Sequence, residues 1–400
     1  MQNETGANKN SAGGRMKNPS GNRSRQYSIR KKLLFSLIPV CLLLLASEVF
    51  FRVSGLAKSP ITPMTLPGEK AGIYHFDKNL FWALKPNEHR KLQNVTVSTN
   101  SHGLRSDEIR DGEIHDGDPA RFRILSLGES TTFGHGVENQ GTYSSVLQSY
   151  LNSAFETDRF EVINAGVPAY SSFQSLMYLR TAGLNLKPNV IVFYHEINDY
   201  LPTYLRASDN TVIDMGLTDQ KRFESRSRRF HRTMLSLSAT YRFICYRIAF
   251  NKIQEMQRYK MPQQAAADGR DKWLVEIGDD VKPMEFPTRV SPEERERNFE
   301  QLLKFCQQHN IQLVVIHPTY HDSVRHECVL TRFCRRHNIP MLEAYDALHP
   351  LGSQPAKYFL DGMHPTAAGH ERLAQHLYRL LVDKRLVGDA EPTQVPFKEE

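Results

Sequence analysis

The sequence lacks the features that define several special classes of protein. It contains no internal repeat and no low-complexity segment, and its 23 glycines and 21 prolines in 400 residues are close to the averages for globular proteins. Collagen-like and other fibrous chains are therefore excluded. With 40% of its residues apolar, the chain is long enough for one large or two smaller packed domains.

Most of the chain also lacks net charge. The whole sequence carries 51 basic and 44 acidic residues, but residues 1–32 contain eight of the basic residues and only one acid, which accounts for the entire formal charge of +7. A neutral body behind a short basic tail argues against a nucleic-acid partner and is typical of a tail that flanks a membrane. The tail has scattered apolar residues and many Asn, Ser and Gly, so we expect it to be disordered.

One long apolar run follows the tail, at residues 33–51, and Glu48 near its end is its single charge. Its length is close to the ~20 residues that a helix needs to cross a bilayer. Because the basic residues concentrate before the run, the positive-inside rule predicts a cytoplasmic amino terminus and a periplasmic or extracellular body. The alternatives are a cleaved signal peptide, with a cleavage site at residues 55–57, and a buried helix.

The rest of the chain divides by composition. Residues 52–120 are rich in turn residues and short alternating runs, which predicts a linker and a small β-rich segment. Residues 121–385 contain five short apolar runs, most of them separated by enough chain for a helix, at residues 124–127, 160–163, 190–194, 311–316 and 340–345. This alternation predicts an α/β fold with a parallel sheet that helices cover on both faces.

Three further features refine this organisation. The sequence Ser291-Pro-Glu-Glu294 predicts a helix start with a capping box. Residues 200–288 are longer than one helix requires, which predicts a helical insertion beside the site and a candidate lid. Residues 386–400 are expected to form a flexible tail.

Polar residues follow the apolar runs at the sheet edge where α/β folds carry their sites. The blocks are GES at residues 128–130, NAG at 164–166, EIND at 196–199 and, before a helical stretch near the carboxyl terminus, DGMHP at 361–365. Each block alone is typical of an ordinary turn.

Taken in order, the four blocks resemble the SGNH (GDSL-like) hydrolase superfamily, whose named residues are a Ser, a Gly, an Asn and a His. The corresponding residues here are Ser130, Gly166, Asn198 and His364, with Asp361 three places before the histidine. The resemblance covers roughly residues 122–382. It implies a three-layer α/β/α, flavodoxin-like fold with a five-stranded parallel sheet.

The resemblance also implies roles for these residues. Ser130 would attack an ester carbonyl and become acylated, His364 would take and return the proton, and Asp361 would orient the imidazole. The amides of Ser130 and Gly166 and the side chain of Asn198 would form the oxyanion hole.

Two positions depart from the family pattern. Glu129 replaces the Asp of the G-D-S motif, a position outside the catalytic machinery. Glu196 replaces a Gly that the family often carries two places before its Asn, which affects the backbone around Asn198.

The remaining histidines and cysteines predict neither a metal nor another cofactor. Four of them are close in sequence but match no common zinc spacing: His317, His321, His326 and Cys328. Three histidines follow predicted strands and are interpreted as having ordinary hydrogen bonds: His135, His195 and His317. Four cysteines could form one or two disulfides in an oxidising compartment or stay as buried thiols: Cys245, Cys306, Cys328 and Cys334.

Together these inferences predict a membrane-anchored serine esterase that acts on acyl or acetyl esters of a glycan, a lipid or a small molecule. An O-acyltransferase that modifies a cell-envelope polysaccharide and a noncatalytic binding protein of the same fold are the alternatives. In the insertion, the basic residues 226–232 lead into a stretch, 234–250, that fits either a helix on the bilayer surface or the solvated face of a packed helix.

Overall fold

The computed structural model describes the chain in stretches that are separated by gaps. The described residues are 28–57, 72–92, 94–110, 121–201, 204–206, 212–214, 217–245, 247, 263–264, 272–277, 280–285, 288–321, 325, 327–350 and 355–397. Most of the basic tail, residues 1–27, lies outside them.

The described strands and helices alternate along most of the chain. The strands are β1 (Tyr74–Asp77), β2 (Phe81–Leu84), β3 (His89–Leu92), β4 (Val95–Ser98), β5 (Phe122–Gly128), β6 (Phe160–Gly166), β7 (Val190–Tyr194), β8 (Tyr204–Arg206), β9 (Val212–Asp214), β10 (Gln263–Gln264), β11 (Lys272–Ile277), β12 (Asp280–Glu285), β13 (Gln312–His317) and β14 (Met341–Glu343). The helices are α1 (Ile29–Ser54), α2 (Ser130–Phe133), α3 (Tyr143–Ala154), α4 (Ser172–Thr181), α5 (Ile197–Tyr200), α6 (Asp219–Glu224), α7 (Arg226–Leu237), α8 (239–245), α9 (Pro292–Gln308), α10 (Val329–Arg336), α11 (Ala344–Leu348) and α12 (Ala367–Asp383).

A five-stranded sheet in the order β14-β13-β7-β5-β6 forms the centre, and all its neighbouring strands are parallel. Successive residues of each strand face opposite sides. Ile124 therefore packs in the apolar cluster with α3, α11 and α12, and Leu125 in the cluster with α4, α9 and α10. Each of the five predicted apolar runs contributes a strand to this sheet, although the last two residues of the run at 340–345 belong to α11. The three-layer α/β/α prediction is confirmed.

Helix α9 begins where the sequence predicts. The Ser291 hydroxyl accepts the Glu294 N–H at 3.3 Å, and the Glu294 carboxylate accepts the Ser291 N–H at 3.0 Å. Proline at the first helical position has no N–H to leave unpaired. The cap sets the start of α9, and the helix packs against α4 and β13.

Residues 72–92 and 94–100 contain two antiparallel pairs, β1-β2 and β3-β4, that pack onto the α/β body. Trp82 donates its indole N–H to the Pro168 carbonyl at 3.3 Å, and Tyr170 donates its hydroxyl to the Trp82 carbonyl at 2.6 Å. The β-rich segment therefore supports the chain turn at residues 167–170.

Two expectations from the sequence need correction. The insertion at 200–288 is not only helical, because it also contains the pair β8-β9 and the antiparallel sheet β10-β11-β12. Residues 386–397 are not a free tail. Val387 is buried, and the Thr393 N–H donates to the Ala154 carbonyl. The half-buried ring of Phe397 lies tilted against Tyr150 and edge-on to Tyr378, so this segment packs on α3 and α12.

Helix α1 is the one helix among the described residues that is long and apolar enough to cross a membrane, and a signal sequence would meet the same criterion. None of its side chains is buried in the protein. Its carboxyl-terminal end contacts α8. The Glu48 carboxylate accepts the N–H groups of Ala239 and Thr240 at 2.8 and 3.1 Å, and the ring of Phe51 stacks on Phe243.

Candidate active site

Ser130 lies at the tight turn between β5 and the short helix α2. The strand ends at Gly128, where a Cβ atom would lie 2.0 Å from the Thr132 hydroxyl and 2.9 Å from the Tyr194 carbonyl. Only glycine allows this close approach. The turn places Ser130 at the carboxyl end of the sheet, beside the loop that carries His364.

Ser130, His364 and Asp361 form a continuous hydrogen-bonded chain. The His364 Nε2 atom lies 2.9 Å from the Ser130 hydroxyl, and the Nδ1 atom lies 2.8 Å from the Asp361 carboxylate. The fold brings the three side chains together, although the serine and the histidine lie 234 positions apart in the sequence. This arrangement matches a nucleophile, its base and the group that orients the base.

The Asp361 turn explains how two residues three apart can meet. The second carboxylate oxygen of Asp361 accepts the N–H groups of Met363 and His364 at 2.7 and 2.8 Å. Burial alone would raise the pKa of Asp361, but the hydrogen bonds from His364 and Met363 outweigh it and hold this pKa below its ordinary value. The carboxylate is therefore ionised at neutral pH and accepts the Nδ1 proton, which leaves Nε2 to face the serine.

Asn198 lies near the start of α5, directly after β7, and it is buried. Its side-chain amide donates one hydrogen to the Tyr170 carbonyl at 3.1 Å. This bond orients the amide and uses one of its two hydrogens. Asn198 thus has the fixed orientation that a donor to a developing oxyanion requires.

Gly166 lies at the carboxyl end of β6, and its amide already has a hydrogen-bond partner. Its N–H donates to the Asn164 side-chain oxygen at 3.0 Å, and a Cβ atom at Gly166 would lie 2.3 Å from the Phe133 nitrogen. The residue packs directly behind the nucleophile turn. This close contact explains why position 166 requires glycine. The glycine amide already donates to an acceptor, the Asn164 side chain.

The turn at residues 167–170 was not among the features predicted from the sequence. Ala169 adopts a φ of 63°, a left-handed conformation that costs a residue with a Cβ about 1–2 kcal/mol. The Ala169 carbonyl accepts a hydrogen bond from Arg289 at 2.7 Å, and the next carbonyl, of Tyr170, holds Asn198. Pro168 is the only local signal of this turn in the sequence.

A group of buried acids lies beneath the site. The pKa of Glu129 is raised to about 8, mainly by burial and to a smaller extent by the negative charges of Asp199 and Glu196. Burial also raises the pKa of Asp199 to about 6, although hydrogen bonds from Ser172 oppose the shift. The Glu129 carboxyl accepts the backbone N–H of Asn198. Glu129 therefore supports the position of Asn198, a role that its place in the sequence did not indicate.

We expect replacement of Glu129 by Gln to flatten the dependence of stability on pH. The ordinary pKa of 4.5 applies to the unfolded chain, so between about pH 4.5 and 8 the folded state holds one more proton than the unfolded state. Wild-type stability must then fall as pH rises through this window. Glutamine mimics the protonated carboxyl but does not titrate, so the contribution of this residue to the pH dependence of stability disappears.

The measurement is the melting temperature of the full chain in detergent at pH 5, 6, 7 and 8. The wild-type value should fall relative to Glu129→Gln, while Glu300→Gln, a change at an exposed position of α9, should follow the wild type. Parallel curves for wild type and Glu129→Gln would show that Glu129 is ionised in the fold.

Arg105 is a second supporting residue that the sequence did not reveal. It is 2% exposed, and it donates hydrogen bonds to the carbonyls of Phe133 and Gly134 at 2.7 and 2.6 Å and to Asn139 at 2.8 Å. Burial lowers the pKa of Arg105 to about 10, with Glu138 opposing the shift. The side chain fixes the loop after α2, and that loop places the ring of His135 4.6 Å from the His364 ring.

The other histidines and the cysteines singled out in the sequence take part in hydrogen bonds or are free thiols. His195 is buried and its Nε2 lies 2.7 Å from the Ser175 hydroxyl. All five cysteines are thiols without disulfides. His326 lies outside the described residues. His317 is completely buried, and burial lowers its pKa, but hydrogen bonds with Cys328 and Glu343 reverse this effect and raise the pKa to about 10.

The structure combines a three-layer α/β/α fold with a serine that is hydrogen-bonded to a histidine. The model of the GDSL-like Lipase/Acylhydrolase family matches residues 126–372, more than half of the chain. The chain belongs to this family, and it is an ester-hydrolysing enzyme.

Solved structures with a similar fold include three hydrolases. LAE5, an alpha/beta hydrolase enzyme from the metagenome of Lake Arreo, Spain, is 16% identical, with 65% of this chain and 94% of that chain covered and a TM-score of 0.38. Axe2, an acetylxylan esterase from Geobacillus stearothermophilus, is 13% identical, with 65% and 94% covered and a TM-score of 0.38. The lipase/acylhydrolase from Enterococcus faecalis is 16% identical, with 68% and 99% covered and a TM-score of 0.39. No curated protein matches the sequence.

Proposed function

We propose that the protein is a membrane-anchored serine esterase that hydrolyses acyl or acetyl esters through an acyl-enzyme on Ser130. The observation that carries the proposal is the hydrogen-bonded chain from the Ser130 hydroxyl through His364 to Asp361, with distances of 2.9 and 2.8 Å. A serine hydroxyl is a weak nucleophile at neutral pH, and this arrangement supplies the base that it needs.

The reaction proceeds in two halves. As the Ser130 oxygen attacks the ester carbonyl, its proton passes to Nε2 of His364, and Asp361 stabilises the imidazolium. The imidazolium then protonates the leaving alcohol, and the acyl group stays on Ser130. In the second half, His364 takes a proton from water, the hydroxide attacks the acyl carbonyl, and Ser130 is released with its proton restored.

Charge on the carbonyl oxygen must be stabilised in both halves. The Asn198 side chain, oriented by Tyr170, is a donor for this oxygen, and the Ser130 amide is the second. Each such donor lowers the barrier by about 2.7–4 kcal/mol in a site that excludes water. The sequence also predicts the Gly166 amide as a donor, and its bond to Asn164 would have to break for that role.

The proposal is tested by treating the full chain in detergent with a fluorophosphonate probe and measuring its intact mass. We expect one covalent adduct, absent from His364→Ala because the serine then has no base. A folded protein that takes up no adduct between pH 6 and 9 would contradict the esterase and favour the noncatalytic alternative.

Hydrolysis and transfer share the acyl-enzyme and differ in the second substrate. An aryl acetate supplied with and without a sugar acceptor separates them, because an esterase releases acetate at the same rate in both reactions. Acetylated sugar as the main product would replace the esterase by the O-acyltransferase.

We propose that α1 is an uncleaved membrane anchor, with the basic tail in the cytoplasm and the α/β body on the other side. Its apolar side chains are exposed, and Glu48 near its end accepts hydrogen bonds from the first N–H groups of α8. Ser238 also donates its hydroxyl to Glu48 at 2.8 Å. A carboxylate at a helix amino terminus is electrostatically favourable. The insertion thus meets the anchor where the anchor leaves the membrane.

We expect α1 and α8 to cross-link in native membranes. The hydroxyls of Ser47 and Thr240 lie 3.1 Å apart, so cysteines at these positions should form a disulfide on mild oxidation in a chain whose Cys41 and Cys245 are replaced by Ser. A cysteine at exposed Arg228 in place of position 240 is the control and should not react.

Glu48→Ala in the cross-linking chain should slow the reaction several-fold, because the cap that joins the helices is lost. Recovery of a mature protein that begins after residue 57 would contradict the anchor and establish a cleaved signal peptide instead.

A further inference from the structure

A second cluster of chemically reactive side chains lies at the same edge of the sheet, beside the first and second strands next to the one that leads to Ser130. Glu196 follows β7, His317 ends β13, and Cys328 precedes α10. One carboxylate oxygen, one imidazole nitrogen and the thiol sulfur all lie within 4.8 Å of one another. The three residues are 5%, 0% and 6% exposed. The esterase mechanism uses none of them.

The imidazole of His317 is held from behind by a carboxylate. Its Nδ1 lies 2.8 and 2.9 Å from the two oxygens of Glu343. The two residues are partners in the register of β13 and β14, so their side chains stand side by side on one face of the sheet. A carboxylate behind a histidine fixes the tautomer with its proton on Nδ1, and Nε2 is then the ligand atom.

The sulfur of Cys328 is also fixed in place. Cys328 is the N-cap residue of α10, and its sulfur accepts the backbone N–H of Thr331, whose hydroxyl in turn accepts the Cys328 N–H at 2.9 Å. The residues that carry the three ligand atoms belong to the ends of β7, β13 and α10. These elements pack together in one apolar core cluster, so the ligands are held by rigid structure.

The types of ligand select the ion. Calcium and magnesium take oxygen ligands, whereas zinc binds thiolate, imidazole and carboxylate together. Three protein ligands leave a fourth position for water in a tetrahedral zinc site. Ligand atoms around such an ion lie about 3–4 Å apart, so shifts of about 1 Å or less bring the three atoms into position.

We propose that Glu196, His317 and Cys328 bind one Zn²⁺ ion. On binding, the S–H bond of Cys328 and the Nε2–H bond of the protonated His317 both break, and the two protons pass to solvent. A Zn–S bond forms, and Nε2 of His317 and a carboxylate oxygen of Glu196 each donate a lone pair to the ion. Because Glu196 lies two residues before Asn198, the ion would also fix the turn that presents Asn198 to the active site. The proposal is independent of the esterase activity.

The test uses the full chain in detergent, loaded with excess Zn²⁺ or Co²⁺ and then dialysed. We expect one metal ion per chain by elemental mass spectrometry, and for Co²⁺ an intense sulfur-to-metal charge-transfer band. Cys328→Ser should abolish the band and weaken zinc binding at least tenfold. Cys334→Ser removes another buried thiol of the same core cluster and should keep both signals.

Two results would overturn the site: equal zinc content in wild type and Cys328→Ser, or a wild-type Co²⁺ complex without the thiolate band. If Cys328→Ser does not fold, the wild-type spectrum decides alone, and Glu343→Gln gives the second comparison because its loss should weaken binding about 10- to 100-fold. Ser130→Ala should bind metal as the wild type does, so failure of the esterase proposal would not affect this result.

Discussion

Replacement of Ser130 by alanine is expected to lower kcat/KM for an aryl acetate by about 10⁴- to 10⁶-fold. The substitution removes the only atom that His364 activates, 2.9 Å from its Nε2, so the acyl-enzyme cannot form. Steady-state hydrolysis by the full chain in detergent measures the effect. The fold should survive, since the hydroxyl forms no contact on which the core depends.

Ser153→Ala is the matched control, because Ser153 is an exposed serine on α3. It should leave kcat/KM unchanged. A Ser130→Ala protein that keeps more than about a hundredth of the wild-type activity would show that another nucleophile, or water activated directly by His364, carries the reaction.

Replacement of Arg289 by methionine is expected to destabilise the fold by about 3–5 kcal/mol, the typical cost of leaving one partner of a buried ion pair behind. The Arg289 guanidinium lies 2.7 Å from Asp219 and from Gln174, and the side chains of the ion pair are 3% and 2% exposed. It also holds the carbonyl of Ala169 at 2.7 Å. The loss therefore reaches the turn beside the active site.

Thermal unfolding of the full chain measures this effect, with an expected fall in melting temperature of about 10 °C. Arg336→Met removes a pair with Glu296 of similar length, 2.9 Å, whose side chains are 58% and 44% exposed. That control should cost less than about 1 kcal/mol because solvent screens the pair. Equal shifts for the two variants would contradict the role of Arg289.

The five strands and the start of α9 could be predicted because their signals are local. Apolar runs such as that of β7 have the length of a buried strand, and the capping box at Ser291 needs only four consecutive residues. The order of the four motif blocks predicted the family, and the match of the family model over residues 126–372 confirms that prediction. The roles of Ser130, Asp361 and His364 remain predictions that their geometry supports.

Other features depend on contacts between distant residues and had no local signal. Arg105 reaches the loop after α2, and Glu129 meets Asp199 and Asn198, only after the strands have assembled. The grouping of Glu196 with Cys328 is of the same kind, since spacing within 317–328 alone indicated no metal. The strand pairs of the insertion could not be predicted either, because the amino-acid composition does not show which segments pair.

The α/β class, the apolar amino-terminal helix and the residues that meet at Ser130 could be read from the sequence alone, because periodicity and short motifs encode local structure and hydrophobic burial. The three-dimensional fold was needed to show that the Gly166 amide bonds to Asn164, that Ala169 forms the turn beside Asn198, and that residues 386–397 pack on α3. A hydrogen-bond partner or a buried charge depends on distances across the fold, and a sequence specifies those distances only through the packing of all its elements together.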